Sequence, residues 1–111
     1  KKTILLVDDD AVLIMFVGHL LAKKFDVDTA TSAEDAMTLF DASRHSLIIT
    51  DNEMGEMTGL ALVQAMCDKV PCILMSSDET IEAAAYQEGA IYFFHKNDRF
   101  DELMDKAIEL A

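Results

Sequence analysis

The sequence predicts an α/β domain: a doubly wound parallel sheet covered by helices on both faces. Three observations carry that prediction. Apolar runs of strand length recur, each followed by a stretch with helical periodicity, and strict alternation of this kind builds a parallel sheet. Residues 4–7 and 72–75 are apolar throughout, as strands buried on both faces must be. A length of 111 residues supports one packed core and not two, so residues 1–111 read as a single domain.

The elements follow in order. The first strand covers 3–7, and a helix over 11–24 follows it, with Asp10 placed to cap it. The second strand, 26–30, alternates polar and apolar residues (Asp26-Val27-Asp28-Thr29-Ala30), the mark of an edge strand. Ser32, with Asp35 three residues on, caps a helix over 33–42. A strand over 47–50 precedes a helix over 60–68 capped by Thr58, and a strand over 72–75 precedes a helix over 80–88. Gly89 stands where that helix should end in a left-handed residue. The last strand is read at 91–94 and the last helix at 99–110, with Asp98 ahead of it as cap.

Composition narrows the function. The apolar share of 51% and the single proline fit a compact globular chain. A net charge of −12 argues against direct contact with nucleic acid, whose phosphates need Lys and Arg; it suits a cationic ligand or a basic patch on another protein. Most of the charge reads as a solubilising surface. Two cysteines, Cys67 and Cys72, are too few for a disulfide framework and suggest a reducing cytoplasm. Lys1-Lys2, four apolar residues and three aspartates do not make a leader peptide. The apolar stretch from 11 to 22 is too short to span a bilayer, so no membrane association is expected.

Chemistry concentrates at strand ends. Asp8, Asp9 and Asp10 close the first apolar run, and Asp51 closes the third. Carboxylates held close together resist joint ionisation; a divalent cation relieves that cost, and a hard one such as Mg²⁺ suits oxygen ligands. Ser76-Ser77 end the fourth strand and His95-Lys96 the fifth. In doubly wound sheets ligands sit outside the carboxyl ends of the strands, where all these residues fall. Metal and Lys can hold phosphoryl oxygens, a hydroxyl can bond one, and a carboxylate can act as nucleophile. The first strand is not followed by a Gly-rich phosphate loop.

Asp8, Asp9, Asp51, Ser76 and Lys96, in this order and near this spacing, resemble the receiver domain of two-component response regulators, the CheY-like phosphoacceptor modules. The stretch Asp51-Asn52-Glu53-Met54-Gly55-Glu56-Met57-Thr58-Gly59 is similar to the family's loop after its phosphorylation site. The resemblance implies a flavodoxin-like (βα)5 fold with strand order 2-1-3-4-5. It implies that Asp8 and Asp9 are the metal-binding pair, Asp9 the more direct ligand. Asp51 would take a phosphoryl group from a sensor histidine kinase or phosphotransfer protein and also ligate the metal. The backbone carbonyl of Glu53 would be the third protein ligand of Mg²⁺, or of Mn²⁺ in its place. Ser76 corresponds to the switch hydroxyl, Lys96 to the phosphoryl-pairing lysine and Phe93 to the aromatic that moves with the switch. The face of helix 4, strand 5 and helix 5 would meet an output domain or partner. Such a domain is a signalling switch with self-catalysed phosphoryl transfer and dephosphorylation, not a metabolic enzyme.

The chain departs from the family pattern at Gly55 and Asn97, both usually proline. A cis bond without proline costs about 2.5–4 kcal/mol, so Lys96–Asn97 is expected to be trans. Glu53 and Asp78 place extra charge beside the pocket and are expected to alter the lifetime of the phosphoryl group. Two other functions compete: a haloacid-dehalogenase-like phosphatase with Asp8 as nucleophile and Asp10 as acid/base, and a degenerate partner-binding pseudo-receiver. The plainer readings are that Asp10 is an N-cap, that Phe93 is a core aromatic, and that His19, His45 and His95 share no ligand spacing. The methionines read as core filler, Met54 and Met57 excepted. The first helix is the odd segment, because residues 11–17 contain no polar side chain and an apolar stripe is all that one buried face needs. Part of it must face outward, as a docking or homodimer surface or under a neighbouring helix or another part of the parent protein.

Overall fold

The computed structural model describes all residues, Lys1–Ala111. Five strands, β1 (Thr3–Val7), β2 (Asp26–Ala30), β3 (His45–Asp51), β4 (Cys72–Ser76) and β5 (Tyr92–His95), form one sheet in the order β2-β1-β3-β4-β5. Every neighbouring pair is parallel. The helices are α1 (Ala11–Leu21), α2 (Ala33–Leu39), α3 (Gly59–Met66), α4 (Glu82–Gln87, entered through a 3-10 turn at Glu79–Ile81) and α5 (Phe100–Leu110).

Alternate strand residues feed two cores. Ile4, Leu6, Ile49, Ile73 and Phe94 pack with Val17 and Leu21 of α1 and Leu103 and Ala107 of α5. Leu5, Val7, Ile48, Leu74 and Phe93 pack on the other face with Ala36 of α2, Leu62 of α3 and Ala85 of α4. Side chains of a strand alternate between faces, so a strand covered on both sides must be apolar at every position.

Several boundaries differ from the sequence reading. The first helix stops at Leu21, and the chain turns so that Phe25 can bury, its N–H donating to Leu21 O at 2.9 Å. The second stops at Leu39 because Phe40 leaves helical geometry (φ −60°, ψ 132°) and stacks on His45 with ring centroids 5.8 Å apart. β3 starts at His45, two residues before the expected start. The buried His45 ring accepts from Asp41 N–H at 3.0 Å through Nδ1 and pairs with Asp28 Oδ2 at 2.8 Å through Nε2. That bond, with burial opposing it and Arg44 assisting, holds the Asp28 carboxyl below its ordinary range. The last strand starts at Tyr92, since Ile91 is half exposed.

Asp98 does not cap the last helix. Its N–H closes a turn onto His95 O at 2.9 Å, and Arg99 occupies the cap position without a side-chain bond. Asp10, Ser32 and Thr58 do cap α1, α2 and α3. The Lys96–Asn97 bond is trans, and Gly55 and Gly89 adopt φ of 44° and 109°. On α1, Val12 (73% exposed), Met15 (70%) and Phe16 (56%) face outward, and the Phe16 ring meets Phe100 edge-on at 5.4 Å.

Candidate functional site

β1 and β3 are adjacent, so their carboxyl ends bring Asp8 and Asp51 together. Asp8 follows β1 directly and is buried; its Oδ1 accepts from Asp10 N–H at 2.9 Å. Asp51 is the last residue of β3 and is 3% exposed. Asp9 stands exposed at the rim, and carboxylate oxygens of Asp8, Asp9 and Asp51 lie within 4.8 Å of one another. Lys96 leaves the end of β5 with its N–H bonded to Ser76 O at 2.9 Å. Its Nζ reaches 3.1 Å from Asp8 Oδ2 and 2.7 Å from Asp51 Oδ1. The second approach is off the hydrogen-bonding direction, which leaves the buried Asp51 Oδ1 facing a charge but no directed donor.

The electrostatics follow from this crowding. Burial pushes the Asp51 carboxyl up to about 6; Lys96 opposes the rise, and the charges of Asp8 and Glu53 add to it. Burial also raises Asp8, against the Asp10 N–H and Lys96. For Lys96, burial favours the neutral form, but Asp51 and Asp8 together outweigh it and raise the amine above its ordinary value. One lysine thus faces three carboxylates, and every other donor is a hard oxygen. The cluster of carboxylate oxygens from Asp8, Asp9 and Asp51 and this charge imbalance both fit a divalent cation of the Mg²⁺ type.

Ser76 ends β4 fully buried, whereas Ser77 is exposed. The Ser76 hydroxyl donates to the Glu53 carboxylate at 2.9 Å (Oε1) and 3.2 Å (Oε2), and accepts from Asp78 N–H at 2.9 Å. Phe93 lies apart, buried in the core that α4 covers, with its N–H donating to Tyr86 Oη at 3.1 Å. Asp10 is exposed, and its Oδ1 accepts from Val12 and Leu13 N–H at 3.0 and 3.3 Å.

The structure thus gathers Asp8, Asp9, Asp51 and Lys96, with the Ser76 carbonyl bonded to Lys96 N–H and its hydroxyl to Glu53. The Ser76–Glu53 bond, Tyr86 and the Asn52 side chain are additions to the sequence reading. Asn52 Oδ1 accepts from Leu60 N–H and Asn52 O from Gly59 N–H, both at 3.0 Å, closing the loop that carries Glu53. Gly59 is required there by space: a Cβ would lie 2.1 Å from Asp51 O and 2.8 Å from Asn52 Cα. Those are backbone atoms that cannot give way cheaply, so Gly59→Ala is expected to destabilise the fold by about 1–3 kcal/mol. It should also shift the Asp51 and Asn52 amide resonances; urea melts and backbone NMR check both.

Comparison with known proteins agrees with this geometry. The family model of the response regulator receiver domain matches residues 4–108. The chain belongs to that family. This receiver domain is 32% identical to the transcriptional regulatory protein TdiR of Thauera aromatica, over 94% of the domain and 48% of that protein. It is 30% identical to the transcriptional regulatory protein GlrR of Escherichia coli K12, over 96% of the domain but 26% of that protein. The chain therefore spans about a quarter to a half of these relatives. Among solved structures it is similar to the response regulator TrrA of Thermotoga maritima in complex with Mg²⁺ and BeF, at 27% identity, full coverage of both chains and a TM-score of 0.88. The receiver domain is a signalling module of two-component systems, not a metabolic enzyme, and the phosphatase reading is not favoured. Asp10, which that reading needs as acid/base, is committed to capping α1. No helix is long and apolar enough to cross a membrane.

Proposed function

We propose that residues 1–111 form a single working receiver that takes a phosphoryl group on Asp51 from a histidine kinase or phosphotransfer protein. The observation that carries this reading is the buried Asp51 carboxylate, with one oxygen lacking a directed donor, set between Lys96 and the Asp8–Asp9 pair. A carboxylate oxygen of Asp51 attacks phosphorus, the bond to the donor imidazole breaks, and the imidazole leaves with its electron pair. Mg²⁺ or Mn²⁺, held by Asp8, Asp9, Asp51 and the Glu53 carbonyl, would supply neutralisation of the charge that develops on the phosphoryl oxygens. Lys96 pairs with the transferred group, and the Ser76 hydroxyl bonds one of its oxygens. Hydrolysis resets the site. Phe93, tied through its backbone to Tyr86 of α4, carries the change to the α4–β5–α5 face, where an output domain or partner binds. The free thiols Cys67 and Cys72 suit a reducing cytoplasm. Intact mass after incubation with acetyl phosphate tests the reading: one added phosphoryl group that requires Mg²⁺ supports it, and no adduct points to a degenerate partner-binding module.

The exposed stripe of α1 fits a second copy of the chain. A twofold contact centred on Phe16 would bury Val12 and Met15 against the same exposed stripe of the second copy. The stripe is then self-complementary in apolar surface. Sedimentation at rising concentration should show a dimer that Phe16→Glu abolishes and Val12→Glu weakens. A chain monomeric throughout, or a dimer indifferent to Phe16→Glu, removes this interface.

A further inference from the structure

We propose that the Glu53 side chain is a latch on Ser76, a positioning residue that keeps the switch hydroxyl occupied until a phosphoryl group arrives. The inference rests on the reading of Asp51 as phosphoacceptor. A serine hydroxyl carries one proton. Here that proton is given to the Glu53 carboxylate, within reach of both oxygens at 2.9 and 3.2 Å. While it is given there it cannot be given to a phosphoryl oxygen. The lone-pair side of Oγ is fixed as well, by Asp78 N–H at 2.9 Å, so the fully buried hydroxyl is held from two directions. Hydrogen bonds with an ionised partner are the stronger kind, so this contact has weight.

Glu53 has no other anchor. No Lys, Arg or His forms an ion pair with it, and the residue is otherwise exposed on the loop after β3. Its charge therefore adds to that of Asp51, and its carboxylate takes its hydrogen bond from Ser76. A phosphoryl group carries about −1.5 to −2 in place of the single charge of the Asp51 carboxylate, so up to about one further negative charge arrives. Like charges at close range repel, so the same event that creates the new acceptor drives the old one away. Release of Glu53 and capture of Ser76 by the phosphoryl oxygens are then one exchange. The latch sets the resting state and lowers the apparent stability of the phosphorylated one.

The test compares wild type, Glu53→Gln and Glu53→Ala with acetyl phosphate at saturating Mg²⁺. Intact mass reads the rate and extent of phosphorylation, and amide NMR reads Ser76 and Phe93 before phosphodonor is added. In Glu53→Ala the resting resonances should move toward their phosphorylated positions, and phosphorylation should be favoured roughly tenfold, the scale of one bond to a charged group. Glu53→Gln, which keeps an acceptor oxygen but no charge, should fall between. In a Ser76→Ala background, Glu53→Ala should no longer move the Phe93 resonance, which separates the latch from simple repulsion of the anionic donor. Wild-type resonances and kinetics in Glu53→Ala overturn the latch while leaving Asp51 as acceptor. An adduct that persists in Asp51→Asn, or no adduct in the wild type, overturns the reading beneath it as well.

Discussion

An Asp51→Asn chain is expected to take up no phosphoryl group and, without divalent cations, to be more stable than the wild type at pH 7. The first half follows from chemistry, since an amide oxygen is too poor a nucleophile to replace a carboxylate. The second follows from burial. The Asp51 carboxyl is raised from 3.8 to about 6, first by desolvation and then by Asp8 and Glu53, against the pull of Lys96. A raised folded-state value means that the native chain holds this proton more tightly than the unfolded chain does. The group therefore costs nothing below about pH 4, costs progressively more between about 4 and 6, and costs its full amount above that. At 1.36 kcal/mol per unit the full amount is about 3 kcal/mol. The wild type should gain stability as pH falls from 7 toward 5, with Asp8 adding a slope of the same sign. In Asp51→Asn the Asp51 contribution to that slope disappears. Mg²⁺ should close the gap from the other side by binding only the native wild type. Urea melts at pH 5 and 7, with and without Mg²⁺, read all of this; an Asp51→Asn chain less stable than the wild type in metal-free buffer at pH 7 would contradict it.

Much of the molecule was legible because two physical signals are strong in this sequence. Doubly buried strands cannot hide their composition, and β1, β2 and β4 fall within a residue of where apolar or alternating runs place them. Carboxylates at strand ends are equally visible, since Asp8 and Asp9 follow the apolar run that ends at Val7 and Asp51 follows the run Leu47-Ile48-Ile49-Thr50. What stayed hidden depends on pairs distant in sequence. The start of β3 is concealed in Arg44-His45-Ser46, which reads as polar loop until Asp28 of β2, on the far side of β1, is placed beside His45. Asp98 looks like a cap by position, but the turn after β5 uses its backbone and moves the helix start past it. The Glu53 carboxylate is the most instructive omission. The family resemblance implies a metal-binding role for its carbonyl, and the sequence places its charge beside the pocket. Only the closeness of the β3 and β4 ends, 23 positions apart along the chain, shows that it holds Ser76.

Lys96→Met should move stability in the opposite direction from Asp51→Asn, by a similar amount. Lys96 Nζ is the one cation between two buried carboxylates, 3.1 Å from Asp8 and 2.7 Å from Asp51. Replacing it keeps the length of the side chain but leaves both charges unpaired, and breaking a buried pair in this way costs about 3–5 kcal/mol. The lysine side chain is 21% exposed, so solvent screening moves the expectation to the lower end. Two further results follow if unpaired charge is the cause. Mg²⁺ should restore more stability to Lys96→Met than it adds to the wild type, because the cation would neutralise the same oxygens. Asp51→Asn should rescue Lys96→Met in the double variant, giving a coupling of at least about 1 kcal/mol between positions 51 and 96. A lysine that served only to pack its methylenes would show neither the Mg²⁺ dependence nor the rescue, since methionine supplies comparable apolar length. Opposite signs for the two single variants, joined by coupling in the double, separate a charge-balanced phosphoryl site from a strand end that merely collects acidic residues.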